Sequence, residues 1–148
     1  MPMDIEGWVE VSWRQAGDEP EEDHHWMGVI RLGPIVGGAT DDVGAALFGF
    51  SKGEVDATVA GQRGVPAHCS AEVRRDLDGI ARHEAQYGRG EFGGYTHASW
   101  REISRVDWTV YRVSETARAE SNWATLFSLM SILEQRYDQI RIVAWWNW

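Results

Sequence analysis

The sequence predicts an α/β (α+β) fold: a single mixed β-sheet with an N-terminal hairpin and a central C-terminal strand, packed by two main helices. Three observations predict this fold class. Two strand-like segments flank a polar loop near the N-terminus, two later segments repeat apolar residues at helical spacing, and the chain ends in an apolar run. Because 148 residues is close to the commonest domain size, residues 1–148 are expected to form a single domain.

The N-terminal hairpin is predicted from two segments of similar composition. From Asp4 to Trp13 and again from Trp26 to Leu32, β-branched and aromatic residues are frequent, and in the first segment they alternate with polar ones. Residues 17–25 between them, which include five acidic residues and Pro20, are predicted to form a polar loop. A loop of this length most simply joins two antiparallel strands.

The two main helices are predicted from apolar residues that recur every three or four positions. The first begins after Ser70, a good N-cap residue, and runs to about Gln86. The second runs from about Ala117 to Tyr137. The segment Ile140–Trp146 is almost continuously apolar, and a strand that is apolar on both faces is usually central in its sheet.

Two shorter elements are predicted between these helices. Tyr95–Trp100 is expected to form a short strand, and Ser99–Glu102 has the spacing of a capping box, which favours a helical turn directly after it. Residues 51–66 hold three glycines and little periodicity. They are predicted to form the longest irregular segment, a kind of segment that often carries function.

Charge and composition narrow the function classes. The net charge of −9 repels phosphate backbones, so general nucleic-acid binding is not expected. Cys69 is the only cysteine, which excludes an internal disulfide. No run approaches the roughly 18–20 apolar residues of a membrane span, and the N-terminus lacks the pattern of a signal peptide. We therefore expect a cytoplasmic protein without a membrane partner.

An arginine-containing loop that leads into a helix gives the most specific candidate site. Helix N-termini attract anions, and a guanidinium offers a bidentate fork to the same anion. Indole rings stack on planar ligands such as nucleobases, so the combination favours a small anionic, nucleotide-like ligand. The plain alternative is a rigid loop that enters a helix. The predicted ligand-binding residues are Arg63, Gly64, His68, Ser70, His97, Ser99 and Trp100.

A small hydrolase that uses Cys69 or His97 is a further alternative. A nucleophilic cysteine needs a histidine within hydrogen-bonding distance, and the sequence does not indicate that distance. We therefore predict a non-enzymatic protein and assign no catalytic residue. The five histidines lack the paired spacing of structural zinc sites, and no phosphate-loop or dinucleotide fingerprint is present. No metal or cofactor is predicted.

The nine tryptophans are more than a core of this size requires. Strand alternation places Trp146 and Trp148 on one face of the C-terminal strand and Trp145 on the other. One face is expected in the core and the other at a subunit, a partner or a ligand, because exposed aromatic patches usually mark interfaces. This pattern supports another alternative, an acidic protein–protein interaction module or inhibitor that forms homo-oligomers.

Several different short motifs follow one another in a characteristic order over most of the chain. They include Asp4-Ile5-x-Gly7-Trp8, Arg63-Gly64-x-Pro66-x-x-Ser70, His97-x-Ser99-Trp100, Val106-Asp107-Trp108 and Arg141-Ile142-Val143-x-Trp145. Their order resembles a family of small uncharacterised proteins of actinobacteria and their phages, which has no assigned activity. The resemblance implies a cytosolic, phage-associated accessory protein, and sequestering a host signalling nucleotide is the concrete form of that role. The chain departs from the family at His68-Cys69, where an acidic residue is usual, and in its extra C-terminal tryptophans.

Overall fold

The computed structural model describes residues 3–13, 25–38, 41–51 and 57–148. Within these residues, one four-stranded sheet is accompanied by six helices. The strands are β1 (Asp4–Trp13), β2 (His25–Arg31), β3 (Phe92–Ser99) and β4 (Gln139–Asn147). The helices are α1 (Gly33–Val36), α2 (Asp42–Phe48), α3 (Ala71–Tyr87), α4 (Trp100–Ile103), α5 (Glu115–Glu120) and α6 (Asn122–Leu133).

The strand order is β2-β1-β4-β3, so β4 lies between β1 and β3. The predicted fold class, the N-terminal hairpin and the central C-terminal strand are confirmed. The sheet differs from the expected mixed one in that all three described ladders are antiparallel. The cause lies in residues 100–138, which return the chain to the end of the sheet where β3 finished, so that Ser99 pairs with Arg141 near the start of β4.

Helices cover both faces of the sheet. On one face, Ile5, Val9 and Val11 of β1 belong to the larger apolar core, which α1, α2, α4 and α6 complete. On the other face, Val143 and Trp145 of β4 pack with residues of α3 in a smaller core. The site described below lies at one end of this layered arrangement.

Serine caps define the helices near the site. Ser70 Oγ accepts a hydrogen bond from Val73 N at 3.2 Å, and α3 begins and ends close to the predicted positions. At α4, Ser99 and Glu102 form the predicted capping box. The prediction of one continuous second helix is wrong, because Ser121 adopts an extended backbone (ψ 142°) and ends α5 while it caps α6.

Gly7 allows β1 to approach β4 closely. Its φ of +132° lies outside the range that other residues readily adopt, and a Cβ atom there would lie 2.0 Å from the Val143 carbonyl oxygen. A side chain at this position would therefore separate the two central strands.

The C-terminal tryptophans differ in burial, and one face of their strand lies in the core, as predicted. Trp145 is 1% exposed, because α3 covers that face, and its Nε1 donates to Glu6 Oε2 at 3.1 Å. Trp146 packs against the larger core on the opposite face. Trp148 is 41% exposed and meets Trp146 edge to face at 6.0 Å between ring centres. Of the three proposed interface residues, Trp145 is thus a core residue.

In the part of the chain that the structure describes, no helix combines the length and apolar character that crossing a membrane requires.

Candidate functional site

A cavity of about 620 Å³ opens at the end of the sheet where β3 finishes and β4 begins. Its walls come from α4, from the residues after α6 and from Trp26 of β2. Four of the seven predicted ligand-binding residues line it: Arg63, His97, Ser99 and Trp100. The strand end and the capping box bring these residues together, since β3 ends at the residue that caps α4.

The other three predicted residues do not line this cavity. Gly64 packs on the edge of β3, where its N donates to Tyr95 O at 2.8 Å and its carbonyl accepts from His97 Nδ1 at 3.0 Å. His68 contributes its carbonyl to Arg141, while its side chain is exposed. Ser70 is 1% exposed and caps α3. These three residues therefore have structural roles beside the cavity and do not line it.

Arg63 forms a bidentate ion pair instead of offering a free fork. Its Nη1 and Nη2 donate to Glu102 Oε1 and Oε2 at 3.0 and 2.7 Å, and further bonds go to the carbonyls of His97 and Val59. The guanidinium lowers the pKa of Glu102, chiefly through this hydrogen bond. Arg63 therefore connects the irregular segment before α3 to α4.

The N-terminus of α3 already holds an anion, which is the chain's own Glu10. The Ser70 backbone N donates to Glu10 Oε2 at 2.6 Å, and Glu10 has no exposed surface. Sequence reasoning predicted an anion at this position because helix N-termini attract negative charge. Its source was missed, because Glu10 occupies an alternating polar position of β1 that the sequence gives no reason to bury.

Arg141 completes this buried pair and reaches the cavity. Its Nε donates to Glu10 Oε1 at 2.7 Å, Nη2 donates to the His68 carbonyl, and the guanidinium lies 3.6 Å from the ring centre of Trp26. Burial lowers the pKa of Arg141, and the neighbouring carboxylate opposes that shift. A charged side chain that is only 12% exposed thus lies at the cavity wall.

Trp100 presents a half-buried indole to the cavity. Its Nε1 donates to Glu134 Oε2 at 2.5 Å, and its ring packs against Phe127 at 6.0 Å between centres. The indole is therefore fixed in orientation by α6 and by the residue that follows it. Sequence reasoning identified Trp100 but not Glu134, because 34 residues separate them and no spacing rule links them.

Only some of the charged side chains around the cavity form ion pairs with one another among the described residues. Four arginines and three carboxylates line it among the described residues. Two of these arginines are bound to carboxylates, whereas Arg101 and Arg105 are exposed and have no ion pair within the ranges that the structure describes. Their spacing of four residues along the chain, directly after Trp100, is the signal that sequence reasoning missed. Two of the four cavity arginines thus lack an ion pair within the described ranges of this acidic chain.

Cys69 and His97, the residues of the alternative hydrolase, have different neighbours. Cys69 packs partly against the smaller core, and His97 Nδ1 is bound to the Gly64 carbonyl. No Cys69–His97 hydrogen bond occurs among the described residues. In the same ranges, no group of three or more His, Cys, Asp or Glu side chains is placed to hold a metal ion.

A second cavity of about 450 Å³ lies between α3 and the strands β1 and β2. Two of its carboxylates already accept indole donors: Asp76 from Trp8 Nε1 at 2.7 Å, and Glu6 from Trp145 Nε1 at 3.1 Å. Both carboxylates that line it are therefore already engaged.

Comparisons of the chain with models of protein families, with curated proteins and with solved structures gave no match. The geometry of the larger cavity is therefore the basis for a functional assignment.

Proposed function

We propose that the chain is a non-enzymatic binding protein that takes a small anionic, nucleotide-like ligand in the larger cavity. The observation that carries the proposal is the juxtaposition of the Trp100 indole with Arg101 and Arg105. A planar ring stacks on an indole, and a guanidinium gives a phosphate two parallel hydrogen bonds. The volume of about 620 Å³ falls within the range of small-molecule pockets.

The proposed anion contacts differ from those that the sequence suggested. Arg63 and the N-terminus of α3 are both satisfied by internal carboxylates, so neither is offered to a ligand. Arg101 and Arg105 have no such partner among the described residues, so a phosphate gains from binding them without first breaking an ion pair. Arg141 adds positive charge at the wall.

The acidic net charge weakens long-range attraction but does not prevent binding. At physiological ionic strength, charges separated by more than about 8 Å are largely screened. The local pair of arginines therefore determines the affinity for a phosphate, whereas the charge of −9 lowers the association rate.

A thermal-shift experiment with nucleoside mono- and diphosphates tests this function. A ligand that binds only the folded chain raises the Tm by mass action, so at least one nucleotide should raise it. The double variant Arg101→Ala/Arg105→Ala should keep the unliganded Tm and lose the shift. Arg82→Ala/Arg89→Ala, which removes two exposed arginines outside the cavity, is the matched control and should keep the shift. The absence of any shift, or an equal shift in the double variant, contradicts the proposal.

The same proposal covers the cellular role that the family resemblance suggests. We propose a cytoplasmic, phage-associated accessory protein that sequesters a nucleotide made by the host. Mass spectrometry of small molecules released from protein purified from cells should then detect a bound nucleotide. Protein that is fully active in nucleotide binding yet carries none from cells that contain it would contradict sequestration.

Self-association is a second candidate, which one observation favours. Trp148 is 41% exposed and lies against the partly buried Trp146, so the end of β4 presents aromatic surface. If this surface joins two copies, light scattering should give a dimer for the wild type and a monomer for Trp148→Ser. A wild-type monomer at high concentration would exclude the dimer.

A further inference from the structure

The Glu134 carboxylate lies at the edge of the Trp100 indole. One oxygen, Oε2, accepts the indole Nε1–H at 2.5 Å, and Glu134 also lines the cavity. Among the described residues, the other oxygen has no hydrogen-bond partner. A ring stacked on Trp100 therefore has a carboxylate acceptor beside its edge.

The other carboxylates of the cavity are already engaged. Both Glu102 oxygens accept from Arg63, and Oε1 also accepts from the Ser99 backbone and hydroxyl. Asp138 also takes part in an interaction. Glu134 is therefore the carboxylate with the most capacity to accept hydrogen bonds from a ligand.

A carboxylate at the edge of a ring discriminates between purines. Guanine presents two adjacent donors there, N1–H and the N2 amino group, and a carboxylate accepts both. Adenine presents the lone pair of N1 at the corresponding position, so it faces a negative charge without a proton between them. We infer that this cavity selects guanine nucleotides over adenine nucleotides through Glu134, an inference that rests on the proposed function. A good bidentate base contact gives discrimination of about ten- to a hundredfold.

Isothermal titration calorimetry with three nucleoside monophosphates at one ionic strength tests the inference. Guanosine monophosphate should bind about ten- to a hundredfold more tightly than adenosine monophosphate. Inosine monophosphate, which keeps N1–H and lacks the amino group, should fall between them. The base ring alone differs among these probes, so the phosphate contacts are held constant.

The variant Glu134→Gln tests the residue itself. Glutamine keeps an oxygen that accepts from Trp100 Nε1, so the indole should stay in place, but it cannot accept both guanine donors. The affinity for the guanine nucleotide should fall. That for the adenine nucleotide should rise, because its N1 no longer faces a negative charge and can accept from the glutamine amide. The ratio of the two affinities should therefore fall to near one or below. Glu120→Gln, an exposed carboxylate of α5 outside the cavity, is the matched control and should keep the discrimination.

The outcomes distinguish the guanine selectivity from the proposed binding of nucleotides. Equal affinities for the guanine and adenine nucleotides in the wild type overturn the inference and leave the proposed binding function standing. No binding by any of the three overturns both. Discrimination that persists in Glu134→Gln also overturns the inference, because another group then reads the ring. If the variant does not fold, the wild-type ratios of the three nucleotides still decide whether guanine is selected.

Discussion

Removing Arg141 should destabilise the fold more than removing any exposed arginine. In Arg141→Met the Glu10 carboxylate, which has no exposed surface, keeps the Ser70 backbone N–H as its one donor among the described residues. Breaking a buried ion pair in this way costs about 3–5 kcal/mol, because the remaining charge is left without compensation. For a chain of this size, that loss lowers the Tm by about 6–20 °C. The variant also loses the contact between the guanidinium and Trp26.

Two further variants separate the charge from the packing. The double variant Glu10→Gln/Arg141→Met removes both buried charges, so its loss of stability should be smaller than the sum of the losses in Arg141→Met and in the single variant Glu10→Gln. Arg63→Met is the matched control, since its partner Glu102 is 40% exposed and such a pair contributes at most about 1 kcal/mol.

Urea unfolding, followed by far-ultraviolet circular dichroism, gives the free energy of unfolding of each variant. A loss below about 1 kcal/mol in Arg141→Met would refute the reasoning, because it would mean that water reaches Glu10. Additive losses in the double variant would also refute it, because they would show that the two side chains do not interact.

Three other changes have defined outcomes. Gly7→Ala should lower the free energy of unfolding by more than about 3 kcal/mol, since its Cβ would meet the backbone of β4. Gly38→Ala, whose Cβ would have no described atom within 4 Å, should be nearly neutral, and equal urea midpoints of the two variants would contradict this. Ser70→Ala should cost about 1 kcal/mol through loss of the cap of α3, again measured with urea, and an unchanged midpoint would count against the cap. The Arg63–Glu102 pair stabilises the fold fully above the ordinary glutamate pKa and loses its effect as the pH falls through the lowered pKa of Glu102. The Tm advantage of the wild type over Glu102→Gln should therefore shrink on acidification. Parallel curves of Tm against pH for the two proteins would exclude this linkage.

Local patterns predicted most of the fold because the elements depend on nearby residues. Alternation marked β1, a serine cap and helical spacing marked α3, and the capping box marked α4. The break at Ser121 was missed, because the residues of α5 favour a helix by themselves, and a serine within a helical pattern does not by itself mark a break. That α3 covers the second face of the sheet was also missed, since strand alternation says nothing about what packs on each face.

The position of the candidate cavity was predicted in part. His97, Ser99 and Trp100 were placed correctly beside Arg63, because they lie within a few residues on one strand end and its helix. The pairing of Glu10 with Arg141 joins residues 131 positions apart, so sequence spacing carries no information about it. That pairing changes the chemistry of the site, because it satisfies the helix end that the sequence offered to the ligand.

The indole signals in a proton–nitrogen NMR spectrum test the central claim most directly, that a nucleotide-like ligand binds against Trp100. During a titration with guanosine monophosphate, the Nε1–H signals of Trp100 and Trp26 should shift, with assignments from Trp→Phe variants. Those of the buried Trp123 and Trp145 should stay in place. A spectrum in which the Trp100 signal is unchanged at saturating ligand would contradict the account.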